Sequence, residues 1–152
     1  WYKHHEKVIR AVKNGSVLIV GEGEEKDKLE KIGRDFLGDR FKIANFDYKD
    51  MPKVYRSVDL FTLPSWDREA FGIVYLEAMA SGLGVVAPDD DSRREIIGDG
   101  GLLTDEKNYA ATLQKALEIE WKDKARAQAE KFSWDRIVIE YEKLMLEIIK
   151  TK

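Results

Sequence analysis

The chain has 152 residues, carries a formal net charge of -3 and contains no cysteine. So small a charge leaves no basic excess to hold a nucleic-acid backbone, and without cysteine there are no disulfides and no thiolate metal sites. Hydrophobic residues make up 43% and aromatic residues 11% of the sequence, enough for one domain with a buried core. No apolar run approaches the ~20 residues that span a bilayer. Nothing resembles a signal peptide either, so a cytoplasmic protein is expected.

In chain order, residues 4–13 read as a helix with Val8, Ile9 and Val12 on one face. Residues 16–20 (SVLIV) form a short apolar run ending in Gly21-Glu22-Gly23, a buried strand followed by a turn. A helix over 26–35 aligns Leu29 with Ile32, and 41–44 is the next strand. Residues 51–57 suit a short helix, with Pro52 in its first turn. A strand over 60–63 precedes a helix over 71–81 that stops at Gly82. Residues 84–87 and the pair Leu102-Leu103 supply the last strands, and 108–120 and 135–150 are amphipathic helices. Strands apolar throughout, alternating with helices, predict a parallel sheet covered on both faces. The expected fold class is therefore α/β, a Rossmann-like doubly wound sheet of about five strands. Such a unit starts on a strand, whereas this chain opens inside a helix; a strand ahead of Trp1 is expected.

Ligands of doubly wound sheets sit beyond the carboxyl ends of the strands. That directs attention to loops 21–25, 45–50, 64–72 and 88–94. In the third, Glu69 and Glu77 are separated by seven residues around Gly72. Gly72 lets a ligand approach the helix start closely, and the free N–H groups and dipole there favour a diphosphate. Glu77, on the helix, can accept hydrogen bonds from a vicinal diol. Glu69 then falls on the other side of the phosphate, near a transferred group. A cleft between Gly21 and Gly72 is expected on this reading.

The string E-A-F-G-I-V-Y-L-E-A-M-A-S-G, residues 69–82, resembles the glutamate-x7-glutamate motif of the family 4 retaining glycosyltransferases, which have the GT-B fold. The likeness extends over nearly the whole chain. It includes Leu18-Ile19-Val20-Gly21-Glu22-Gly23, residues 58–65 (VDLFTLPS), Glu95-Ile96-Ile97 through Gly101-Leu102-Leu103, and Phe132-Ser133-Trp134. Residues 3–11 (KHHEKVIRA) resemble the family segment that follows the first strand. The resemblance implies that residues 1–152 are a carboxyl-terminal nucleotide-sugar-binding domain lacking its first strand and its amino-terminal acceptor domain. It implies transfer of a sugar from a nucleotide-diphosphate donor with retention, without metal or other cofactor. Lys3 takes the place of a phosphate-binding lysine, Glu69 lies by the donor sugar, and Glu77 binds the ribose hydroxyls. Backbone N–H groups of Phe71, Gly72 and Ile73 hold the sugar or diphosphate. Gly21 and Gly23 allow close approach on the facing strand end, and the base sits around Phe46 and Asp47. The partners implied are the nucleotide-diphosphate sugar and the chain's own amino-terminal domain, any peripheral membrane association coming only through that other half.

Departures from the family pattern are instructive. Asn45 stands where glycine is usual, a residue that still tolerates a left-handed turn. Asp89-Asp90-Asp91-Ser92 replaces a glycine pair and contains an Asp-x-Asp that could hold a divalent cation. The simpler reading, favoured here, is Asp91 or Ser92 capping a helix over 93–97. His4 and His5 read as surface residues. A nucleotide-sugar epimerase and a non-catalytic nucleotide-sugar sensor are the rival functions on the same fold. The isolated domain is expected to bind nucleotide weakly and not to turn over.

Overall fold

The computed structural model describes residues 3–66 and 71–150. All five expected strands form, each within a residue or two of its apolar run. Val17–Val20 (β1) and Phe41–Ala44 (β2) pair in parallel, with Val17 opposite Phe41 and Val20 opposite Ala44. Leu60–Thr62 (β3), Gly84–Pro88 (β4) and Gly101–Thr104 (β5) form a second parallel sheet in the order β3-β4-β5. Helices fill the connections: His5–Ala11 (α1), Lys26–Leu37 (α2), Met51–Tyr55 (α3), Ile73–Ala80 (α4), Asp91–Ile97 (α5), Tyr109–Ala116 (α6), Lys122–Glu130 (α7) and Trp134–Lys150 (α8). This is the Rossmann-like alternation of parallel strands and helices that the two hydrophobic periods predict.

The middle strand β4 is buried along its whole length, as a strand covered on both faces must be. Its neighbours approach closely because two glycines permit it. A Cβ on Gly101 would overlap the carbonyl oxygen of Val85, and one on Gly84 would overlap the indole of Trp121. Trp121 is fixed there by a hydrogen bond from its Nε1 to the carbonyl of Ala116, 2.7 Å. One apolar cluster runs from Val8, Ile9 and Val17 through Tyr75 and Val85 to Ile97 and Ala129, so both sheets share a single core.

Three findings depart from the sequence-based expectation. The sheet is not continuous: β1 and β3 are not hydrogen-bonded to each other, and the strands stand as two half-sheets. Among the described residues no strand lies between them. Second, α7 has no counterpart in the apolar pattern. Its buried side chains are Ala125, Gln128 and Ala129 in an otherwise charged segment, and alanines at helical spacing leave almost no apolar stripe. The helix expected over 108–120 correspondingly ends at Ala116. Third, the cap of α5 is Asp90, whose extended backbone (φ -142°, ψ 168°) lets its carboxylate accept the N–H of Arg93 at 3.0 Å. Asp91 and Ser92 are instead the first helical residues; in a run of three aspartates, composition alone cannot fix which one turns the corner.

The last helix is different in kind from the rest. None of the residues of α8 is buried, and Trp134, Tyr141, Leu144, Met145 and Ile149 are all exposed. Among the described residues no helix is long and apolar enough to cross a membrane.

Candidate functional site

Parallel pairing puts the loops after β1 and β2 at one end of their half-sheet and those after β3 and β4 at one end of theirs, and a Tyr48–Glu77 hydrogen bond brings the loop after β2 to the helix after β3. Gly21 takes φ 131°, a conformation that favours glycine. Its N–H donates to the carbonyl of Ala44 at 3.0 Å, which extends the β1–β2 pairing by one step. A Cβ on Gly21 or Gly23 would meet nothing, so the space ahead of both is open. The side-chain amide of Asn45 donates to the carboxylate of Glu22 and ties the two loops together. His4 alone among the described non-glycine residues has positive φ, so the left-handed tolerance of Asn45 is not used. Phe46 and Asp47 follow, both exposed, with Asp47 paired to Lys49 at 3.3 Å.

The helix α4 is set by its entry. Gly72 occupies the N-cap with φ 78° and ψ 56°, which turns the chain so that Ile73 opens the helix. Phe71 and Ile73 are exposed at this tip, and Phe71 meets Phe132 edge-on at 6.4 Å. Below the tip, Tyr75 is fully buried, and its hydroxyl donates to the carbonyl of Leu63 at 2.6 Å, pinning α4 to the end of β3. Glu77, four residues after Ile73, lies on the same side of the helix as its first residue. Tyr55 donates to Oε2 of Glu77 at 3.0 Å and Tyr48 to Oε1 at 3.3 Å. Burial, and secondarily the Glu77 carboxylate, push the Tyr55 phenol above its ordinary range, so it keeps its proton and stays a hydrogen-bond donor at any physiological pH.

A second arrangement supports the loop that leads to α4. Arg93 is 3% exposed and Ser65 fully buried. The guanidinium of Arg93 donates to the carbonyl of Ser65 at 2.8 Å, to its hydroxyl at 3.2 Å, and to the Asp90 carboxylate. The α5 N-terminus is thereby latched to the chain just past β3. Asp89 and Asp91 are both engaged by Arg94, at 2.7 and 2.8 Å. Among the described residues no group of three or more His, Asp or Glu is placed to hold a metal ion.

Of the residues singled out from sequence, Glu69 lies outside the described residues. Lys3 is exposed in the turn before α1. Gly21, Gly23, Phe46 and Asp47 belong to the β1–β2 half, while Gly72, Ile73 and Glu77 belong to the other, and the Tyr48–Glu77 contact spans the two. His4 and His5 are not plain surface residues: both are partly buried, and His4 meets the Trp66 ring edge-on at 5.8 Å. The sequence reading missed Tyr48, Tyr55, Ser65 and Arg93, whose contacts Tyr48–Glu77, Tyr55–Glu77 and Arg93–Ser65 join residues 22 to 29 apart. Surface depressions among the described residues include one of about 180 Å³ beside Arg34 and Phe41 and one of about 480 Å³ beside Gly98 and Trp121. The first lies at the outer edge of β2 and the second at the amino end of β5. Neither is the expected cleft between Gly21 and Gly72.

Parallel strands alternating with helices, a glycine-capped helix and a tethered carboxylate beyond the strand ends define a Rossmann-like α/β domain with a ligand edge. The sequence matches the family "Glycosyl transferases group 1" over residues 1–133, and the chain belongs to that family. It is 36% identical over 94 residues to a phosphatidyl-myo-inositol mannosyltransferase of Mycolicibacterium smegmatis, a stretch covering 62% of this chain and 24% of that protein. It is likewise 36% identical over 95 residues to the O-antigen chain mannosyltransferase B of Escherichia coli, covering 57% of this chain and 25% of that one. The chain therefore spans about a quarter of the length of these relatives. In fold it is similar to sucrose-phosphate synthase from Thermosynechococcus elongatus, with a TM-score of 0.83 at 24% identity over 99% of this chain and 43% of that one. The Anabaena protein HepE, solved in complex with UDP, superposes with a TM-score of 0.75 at 23% identity over 99% of this chain and 46% of its own.

Proposed function

We propose that this chain is the donor-binding half of a retaining glycosyltransferase that moves a sugar from a nucleotide-diphosphate sugar to an acceptor. The observation that carries the reading is Glu77, tethered by Tyr48 and Tyr55 on the helix that the Gly72 N-cap starts and whose first residue, Ile73, is exposed. In this reading Glu77 receives the ribose hydroxyls. The N–H groups of Phe71, Gly72 and Ile73 face the sugar or diphosphate, whose developing charge they stabilise together with Lys3 as the bond to the sugar breaks. Glu69 stands by the donor sugar, Gly21 and Gly23 give close backbone approach, and Phe46 and Asp47 border the base. The names of the relatives make a mannose donor the first to test.

The acceptor site and the second wall of the cleft belong to another domain of the whole protein, which accords with an open edge in place of an enclosed pocket. We also place a further parallel strand, from sequence ahead of Trp1, between β1 and β3. The edges of β1 and β3 left without a strand partner among the described residues support it, as does the right-handed crossover rule with α1 and α2 packed together.

In the full-length enzyme, Glu77→Ala is expected to weaken donor binding by about tenfold or more, the loss of charge-assisted hydrogen bonds to a diol. Glu69→Ala is expected to lower kcat by about a hundredfold with a smaller change in donor affinity. Donor titration and initial-rate kinetics measure the two. Wild-type activity in both variants would refute the enzymatic assignment and favour a sensor.

A further inference from the structure

We propose that Tyr55 and Tyr48 divide the control of Glu77: Tyr55 is the positioning residue that holds the carboxylate ready for a vicinal diol, and Tyr48 is a displaceable cap that covers it until the nucleotide arrives. This rests on the reading of Glu77 as the ribose acceptor. The two phenols differ in every respect that matters. Tyr55 ends α3, is 6% exposed, and its ring is wedged edge-on against Phe61 at 5.8 Å, which in turn meets the fully buried Tyr75. Its hydroxyl therefore has one direction, toward Oε2 of Glu77 at 3.0 Å. Tyr48 sits on a single 3-10 turn, is 79% exposed, and reaches Oε1 at the longer distance of 3.3 Å.

A carboxylate offers about four acceptor positions, two on each oxygen. Tyr55 fills one on Oε2 and leaves the oxygen able to take a second donor, so the bond can persist when a diol binds. A free glutamate on a helix would lose rotamer freedom on binding; the Tyr55 bond has already restricted it, which favours a two-point ligand over a one-point ligand. Tyr48 fills one of the two positions on Oε1, the other oxygen a diol needs, and unlike Tyr55 it lies on the exposed side from which a diol arrives. Being exposed and on a short turn, it can leave at small cost to water. Phe46, also exposed, lies two residues before it on the same loop, so the released Tyr48 ring stands beside the place assigned to the base, where an aromatic face can stack.

The test is a nuclear magnetic resonance titration of the 152-residue chain with UDP and GDP and with their 2′,3′-dideoxy counterparts, reading the ratio of ribo to dideoxy affinity. Wild type should prefer the ribo form, and Glu77→Gln should collapse that preference. Tyr55→Phe should shrink the ratio by about fivefold, the worth of one hydrogen bond, while dideoxy binding stays unchanged. Because both ligands see the same folded fraction, the ratio is insensitive to a partial loss of stability. Tyr48→Phe should leave ribo binding equal or about two- to fivefold tighter, since the cap is gone and the ring remains. If Glu77→Gln keeps the wild-type ratio, the ribose reading itself fails and this proposal with it. If Glu77→Gln collapses the ratio and Tyr55→Phe does not, only the positioning role is overturned. Weaker ribo binding in Tyr48→Phe would overturn the cap, and that exposed variant decides the matter should Tyr55→Phe fail to fold.

Discussion

Replacing Arg93 by methionine tests whether the latch between α5 and the chain after β3 holds the fold together. Methionine keeps the apolar stem of a side chain that is 3% exposed, so cavity formation contributes little and the lost guanidinium dominates. Three acceptors lose it. The Asp90 carboxylate, 38% exposed, can turn to water and keeps its bond from the Arg93 N–H, so it is not left as a buried charge. Ser65 is fully buried, and its carbonyl loses a 2.8 Å charge-assisted bond. One buried carbonyl without a partner costs about 1–3 kcal/mol. Breaking an ion pair whose other member is buried would cost about 3–5 kcal/mol, but removing a desolvated cation partly offsets the loss here. The expected destabilisation is about 2 kcal/mol, or roughly 4–8 °C in Tm for a domain of this length. Urea unfolding followed by circular dichroism measures it, with the slope m checking that the transition keeps its shape. Arg93→Lys should recover little, because a single ammonium cannot reach both acceptors in a fork. A methionine variant as stable as wild type would refute the latch.

Other consequences can be checked alongside. Gly101→Ala forces a Cβ against the carbonyl oxygen of Val85 within the β4–β5 pair, where backbone cannot move aside; a loss of about 2–3 kcal/mol in the same unfolding assay is expected, and a neutral result would mean the two strands are not so closely paired. Burial, and then the positive charge of Lys3, lower the pKa of His5 from 6.5 in the folded chain. Between that lowered value and 6.5 the unfolded chain binds the extra proton, so stability is fully present above pH 6.5 and falls as pH drops below it. His5→Asn should flatten that acid-side slope in a pH series of unfolding midpoints, and an unchanged slope would place the proton elsewhere.

The strands were legible because each is a short, mainly apolar run bounded by glycine or polar turns, most completely in β4, which is covered on both faces. Helices with leucine, isoleucine or valine on one side were legible for the same reason. What failed was whatever depends on distant partners or small side chains. Lys122–Glu130 buries alanines and one glutamine, which carry no amphipathic signal. Arg93 looks like any surface arginine until the fold sets it against Ser65, 28 residues away in sequence. Tyr55 and Tyr48 reach Glu77 across 22 and 29 residues, and no spacing rule connects them. The motif around Gly72 was readable from its local chemistry and its likeness to a family. The phenols that hold Glu77 were not, since only the packing of α3 against α4 brings them there.

The division of the strands into two half-sheets bears directly on the site. Gly21, Gly23 and Phe46 hang from β1 and β2, while Ile73 and Glu77 depend on β3 and β4, and no backbone ladder joins the two sets. Side chains of the described residues also cross between the two half-sheets, beside the strand proposed to lie there. On one side α1 packs on α2 and also touches α6. There Lys7 lies 4.9 Å from the centre of the Trp66 ring and pairs with Glu106, while Trp66 meets Tyr109 edge-on at 5.5 Å. At the ligand end, Tyr48 crosses from the loop after β2 to α4. Packed aromatic contacts are short-ranged and rigid, whereas the Tyr48 bond is exposed and weak. The contacts that cross on the α1 side are packed aromatic ones, and the one at the ligand end is the exposed Tyr48 hydrogen bond. On the proposed reading, a ligand touching both Phe46 and Glu77 would take over the bridge that Tyr48 now makes, so a nucleotide would tie the loop after β2 to α4 as that phenol does.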